Sequence, residues 1–210
     1  MLDVSDRLVV VVGGGSVAVR KVQGLLEAGA TRLRCVAPRF DAAMPPQAQR
    51  IQEPFAPHHL EGAGLVFAAT DDAHVNAQVV AEARARGILV SRADADEQSP
   101  GDFSTPAVLR RGSVTVAVAA GGSPAVAAAI RDHLAAALDP AYVALADAMR
   151  RLRPLIRDRL ELTAQRRSQI LRELSGDEAV EQVRRGGLPQ LEIWLAQRYP
   201  ELAGSLGEVR

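Results

Sequence analysis

Runs of apolar and polar positions alternate between strand-like and helix-like spacing over the first two thirds of the chain, and only helical spacing follows. Leu8-Val9-Val10-Val11-Val12 is an unbroken apolar, β-branched run ending in three glycines, the pattern of a strand buried on both faces of a parallel sheet. Val17 to Ala28 carries Val17, Val22, Leu25 and Leu26 near helical spacing and closes on Gly29, a natural C-terminal stop. Leu33 to Ala37 reads as a second strand, Leu65 to Ala69 as another buried one, Ala73 to Arg86 as a helix and Ile88 to Val90 as a strand. The Pro-rich stretch from Pro38 to Pro57 is the least regular part of this half. Strands alternating with helices predict an α/β fold, a Rossmann-type doubly wound parallel sheet whose ligands lie beyond the carboxyl ends of the strands.

After Asp94 the texture changes. Ala95 to Pro106 is rich in Asp, Ser, Pro and Gly and reads as a loop, with a domain junction nearby. Val114 to Val118 is one more strand, and Gly121-Gly122-Ser123-Pro124 leads into a helix from about Ala125 to Leu138. Ser123 suits its N-cap and Pro124 its first position. From Pro140 onward the pattern is helical, with arginines set between leucines as a solvated face would have them.

Charge and cysteine content narrow the partners. Lys plus Arg and Asp plus Glu both total 25 in 210 residues, so nothing general favours nucleic acid or an anionic membrane. The apolar runs are far too short to span a bilayer, and the first residues, Met1 to Asp6, lack a basic region followed by an apolar core. Cys35 has no second cysteine to pair with, which suits a reducing, cytoplasmic setting. His58 and His59 are adjacent, while His74 and His133 are isolated, so no metal-ligand spacing stands out and no metal is expected.

The chemistry concentrates in short motifs. Gly13-Gly14-Gly15-Ser16-Val17-Ala18 fits G-x-G-x-x-A between a strand and a helix, the dinucleotide-binding fingerprint in its proper context. Gly13 permits the tight turn, Gly15 lets the backbone reach a pyrophosphate at the helix N-terminus, and Ala18 lets the helix pack closely. The acidic residue that usually holds the adenosine ribose about 20 residues on is replaced by Cys35-Val36-Ala37-Pro38-Arg39. Ala37 and Pro38 are expected beside the cofactor, Arg39 could meet a 2′-phosphate, and the choice between NAD and NADP stays open. Ala68-Ala69-Thr70-Asp71-Asp72 closes a buried run with small polar residues. Thr70 and Asp71 are cofactor-site candidates there, although Asp71 or Asp72 serves equally well as a cap for the next helix.

Taken in order, Gly13-Gly14-Gly15-Ser16-Val17-Ala18-Val19-Arg20-Lys21, Ala68-Ala69-Thr70-Asp71-Asp72 with Asn76, and Val118-Ala119-Ala120-Gly121-Gly122-Ser123-Pro124 resemble the siroheme-synthase dehydrogenase and ferrochelatase family. The resemblance covers about residues 5–140 closely and the helical tail in general character. It implies a Rossmann domain over 1–112, a dimerisation region over 113–140 and a helical domain over 141–210, assembled as a homodimer. The activity it implies is NAD-dependent oxidation of precorrin-2, a tetrapyrrole, to sirohydrochlorin, with ferrous iron as a further substrate where siroheme is completed.

The family's key acid ends the strand after the A-T-D-D segment, where this chain reads Ser91-Arg92-Ala93-Asp94. The resemblance therefore makes Asp94 the catalytic candidate, with Asp96 the alternative. Such a carboxylate has a use: forming the new double bond sends a hydride to nicotinamide and a proton to a base. Two departures touch the substrate side. The family's Asn is Ser91, followed by Arg92, and its Ser/Thr-containing turn before Gly121-Gly122 is Ala119-Ala120. A substrate rich in carboxylates suits guanidinium groups, so Arg92 and Arg110, with Gly121, Gly122 and Ser123, are the substrate-contact candidates.

Overall fold

The structure, a computed structural model, describes residues 2–94, 101–158 and 161–202. The chain divides into two compact units between Thr105 and Pro106.

In the first unit β1 (Leu8–Val12), β2 (Arg32–Val36), β3 (Gln49–Ile51), β4 (Leu65–Ala68) and β5 (Leu89–Arg92) form one sheet in the order β3-β2-β1-β4-β5. Every pairing is parallel. Helix α1 (Ser16–Glu27) covers one face, where Ala18, Val19, Val22 and Leu25 meet Val9, Val11, Leu33, Cys35 and Phe67. Helix α2 (Ala73–Ala85) covers the other, where Val79, Val80 and Ala83 meet Val10, Val12, Val36, Val66 and Val90. Helices on both faces explain why β1 is buried at all five positions and reads as an unbroken apolar run.

The doubly wound sheet is as the pattern predicts, with two additions. Strand β3 falls inside the stretch expected to be irregular. It is three residues long and largely exposed at the sheet edge, so it leaves no apolar pattern to read. After the loop, Asp102 runs beside β5: its N–H donates to the Val90 carbonyl at 2.7 Å and its carboxylate accepts from the Val90 N–H at 3.0 Å.

In the second unit β6 (Ala107–Arg111) and β7 (Val114–Val118) form an antiparallel hairpin against which α3 (Pro124–Ala137) packs. The Ser113 N–H at the hairpin turn donates to the Asp147 carboxylate at 2.7 Å, and the Ser113 hydroxyl, with this N–H, holds the Asp147 carboxyl below its ordinary range. Helices α4 (Pro140–Arg157), α5 (Ala164–Glu173) and α6 (Asp177–Arg198, kinked at Gly186 and Gly187) share a core. The stripe Ala141, Leu145, Ala148, Leu152 and Ile156 of α4 meets Ile170, Leu174, Leu191 and Trp194 there, the 3.6-residue period made physical. Among the described residues no helix is long and apolar enough to cross a membrane.

Candidate functional site

Register brings the sequence motifs of the first unit together. Val12 lies opposite Val36 on one side and Ala68 on the other, and Ala68 lies opposite Arg92. The residues that follow these four positions therefore emerge along one edge. The ladder runs one step further, with Gly13 N–H to Val36 O at 2.9 Å, Ala69 N–H to Val12 O at 2.8 Å and Ala93 N–H to Ala68 O at 2.9 Å. The glycine turn, the Thr70 turn and Asp94 thus share the carboxyl edge of the sheet.

Gly13 takes φ +137, and a Cβ there would lie 2.2 Å from the Ala69 carbonyl oxygen. Gly14, the variable position of the fingerprint, is confined as tightly: a Cβ would lie 1.9 Å from the Arg39 carbonyl oxygen. The Asp41 N–H donates to the Gly14 carbonyl at 2.7 Å, so the segment after β2 is fastened onto the turn. Ala37 is buried there, whereas Pro38 and Arg39 are exposed. Gly15 differs from its neighbours. It is the N-cap of α1, nothing lies within 4 Å of a Cβ built on it, and no side chain caps the helix. Ser16 is exposed, Val17 half-buried, and Ala18 is fully buried against the sheet.

The Thr70 turn is organised by Asn76, which is fully buried in the first turns of α2. Asn76 Oδ1 accepts from the Thr70 N–H at 3.1 Å and lies 2.8 Å from its hydroxyl, and Asn76 Nδ2 donates to the Thr70 carbonyl at 3.1 Å. Asp72 is the helix cap, accepting from His74 N–H at 2.8 Å and Val75 N–H at 3.3 Å. Asp71 is exposed beside it.

Asp94 sits next to this network. Arg92 Nε lies 2.5 Å from Asp94 Oδ1 and Nη2 lies 2.8 Å from Oδ2. The guanidinium beside Asp94 holds its carboxyl below the ordinary carboxylate range; partial burial opposes this and a hydrogen bond from Asn76 supports it. Asp96, the alternative acid, lies outside the described residues.

The remaining candidates belong to the second unit. Arg110 lies in β6 opposite Thr115. Gly121 and Gly122 form the turn before α3 with positive φ, and Ser123 is its N-cap, accepting from the Val126 N–H at 3.4 Å.

One group of potential metal ligands was not legible in the histidine spacing. Glu53, His58 and His59 place ligand atoms within 4.8 Å of one another. His59 is buried, and its Nδ1 accepts from the Ala56 N–H at 3.0 Å. That bond uses the Nδ1 lone pair, so the neutral ring carries its hydrogen on Nε2. The Nε2 lies 3.5 Å from a Glu53 carboxylate oxygen and has no hydrogen-bond partner among the described residues.

Residues 1–107 match the family model described as "Putative NAD(P)-binding". The chain belongs to this NAD(P)-binding family. Among its NAD(P)-binding relatives are siroheme synthases. One from Chromobacterium violaceum is 44% identical over 141 residues, covering 64% of this chain and 29% of the relative. One from Photorhabdus laumondii is 37% identical over 216 residues, covering 99% of this chain and 45% of the relative. The chain thus spans less than half the length of these relatives. The solved structure of "SirC, precorrin-2 dehydrogenase" superposes with a TM-score of 0.71 at 28% identity, over 91% of this chain and 97% of that one. The open space at Gly15 and the uncapped start of α1 fit the pyrophosphate of an NAD(P) cofactor, which needs backbone N–H groups and no competing side chain.

Proposed function

We propose that the chain is a precorrin-2 dehydrogenase that oxidises precorrin-2 to sirohydrochlorin with NAD. The observation that carries the reading is the shared edge: a carboxylate, Asp94, stands on the same sheet edge as the glycine turn, two strands away. Gly13, Gly15, Ser16, Val17 and Ala18 would hold the pyrophosphate, with Ala37 and Pro38 towards the adenosine end and Thr70 and Asp71 nearer the nicotinamide. When bound, NAD supplies the hydride acceptor. Asp94 supplies the other half of the oxidation, taking at its carboxylate the proton that leaves the substrate as the double bond forms. Arg110, Gly121, Gly122 and Ser123 remain candidates for substrate contact.

Residues 1–112 form the cofactor domain in this reading, 113–140 the dimerisation region and 141–210 the helical domain of a cytoplasmic homodimer. Support for the dimerisation region comes from Val126, Ile130 and Leu134, which are spaced four apart on α3 and each at least 39% exposed. Such a stripe would be covered by a second copy.

An anaerobic assay with freshly generated precorrin-2 and NAD tests the proposal, following sirohydrochlorin by absorbance. NAD-dependent product is expected; folded, NAD-binding protein that yields none would overturn the reading. Adding ferrous iron to the same reaction then asks whether siroheme forms as a second step.

A further inference from the structure

We propose that Arg92 is a positioning residue for Asp94, fixing the orientation of its carboxylate and holding it as a proton acceptor. The inference rests on the role proposed above for Asp94 and adds a second residue to it.

Exposure divides the pair unequally. The Arg92 side chain is 1% exposed and that of Asp94 30%, so the guanidinium is packed inside and the carboxylate stands at the surface of the site. The two bonds are parallel, one to each carboxylate oxygen, the fork geometry that a guanidinium offers and an ammonium does not. Arg92 Nη2 also donates to the carbonyl of Ala73, the first residue of α2, at 3.1 Å. The fork is therefore tied to the helix that carries Asn76. Among the described residues Arg92 is the charged group shown facing Asp94. With both oxygens engaged by Arg92, the carboxylate is held in one orientation while 30% of the side chain stays exposed.

A guanidinium stays protonated throughout the working range, so Asp94 is kept ionised and ready to accept. The proton leaving the substrate would pass to an Asp94 oxygen, and NAD, when bound, would supply the hydride acceptor, so that the oxidation balances. This role differs from a direct contact between Arg92 and substrate carboxylates, which would need the guanidinium at the surface.

Arg92→Met, Arg92→Lys and Asp94→Asn, assayed across pH with NAD affinity measured in parallel, test the inference. In Arg92→Met, kcat should fall about tenfold to a hundredfold as the base loses its alignment. The acid limb of kcat/KM should also move to higher pH than in the parent, because the cation that favours the ionised carboxylate is gone, with NAD affinity unchanged. Arg92→Lys should keep the parent's acid side but recover only part of kcat. Parent-like kcat and pH profile in Arg92→Met, alongside an inactive Asp94→Asn, would overturn the role of Arg92 and leave Asp94 standing. Full turnover in Asp94→Asn would instead remove the acid itself, and this inference with it. Should Arg92→Met fail to fold, Arg92→Lys decides: a lowered kcat with an unmoved acid side supports the fork, and an unchanged kcat overturns it.

Discussion

Gly14 shows how a single residue can be constrained without belonging to a recognised pattern. The fingerprint leaves its second position free and, of the three glycines, fixes only Gly13 and Gly15. The fold then sets the Arg39 carbonyl where a Gly14 side chain would begin. That constraint depends on a residue 25 positions away and has no local signal. Gly14→Ala should destabilise the protein by about 1–3 kcal/mol through overpacking against backbone, read as a lowered midpoint in denaturant. Gly15→Asp should leave stability nearly unchanged, because the space there is open, and should abolish NAD binding by placing a carboxylate where the phosphates belong. A variant that keeps NAD affinity would refute the placement of the site. Asn76 was legible as part of a motif, but not as the group that holds the Thr70 turn. Asn76→Ala removes a buried partner of the Thr70 N–H and carbonyl and should cost about 1–3 kcal/mol.

Elements were legible where burial imposes a period. β1 was placed to the residue and α1, α2 and α3 to within about one residue, because strands buried on two faces and caps such as Ser123-Pro124 leave strong local marks. Strand β6 left none. Ala107 to Arg111 shows no clean alternation, its residues are half-buried or exposed, and Arg110-Arg111-Gly112 suggests a turn. Pairing with β7 supplies the missing definition, and the turn itself falls at Gly112 and Ser113. Cap chemistry at α2 gave two candidates, Asp71 and Asp72, and geometry selects Asp72. Asp72→Ala should therefore cost about 1 kcal/mol, whereas Asp71→Ala should leave thermal stability unchanged.

At the scale of the molecule, the second unit should be the more sensitive to acid. Asp139 is held below its ordinary range by the Ala141 N–H and by Arg184, Glu173 by Tyr199 and Gln169, and Glu201 by a backbone hydrogen bond and by Arg166. Carboxyls depressed in the folded state contribute stability above their unfolded values near pH 4, and that contribution is lost as pH falls through the folded values. Helical signal should consequently decline on acidification below about pH 4, which circular dichroism will report. Ile130→Glu on the α3 stripe should convert a homodimer to monomers in sedimentation; an unaltered dimer would place the interface elsewhere. The fastening of the segment after β2 onto the glycine turn, through Gly14, Arg39 and Asp41, limits how this scaffold can be re-tooled. Cofactor preference can be redesigned by exchanging side chains at Arg39 and its exposed neighbours. Lengthening that loop would pull on the phosphate turn, so an engineer seeking a different nucleotide must change lettering and leave spacing alone.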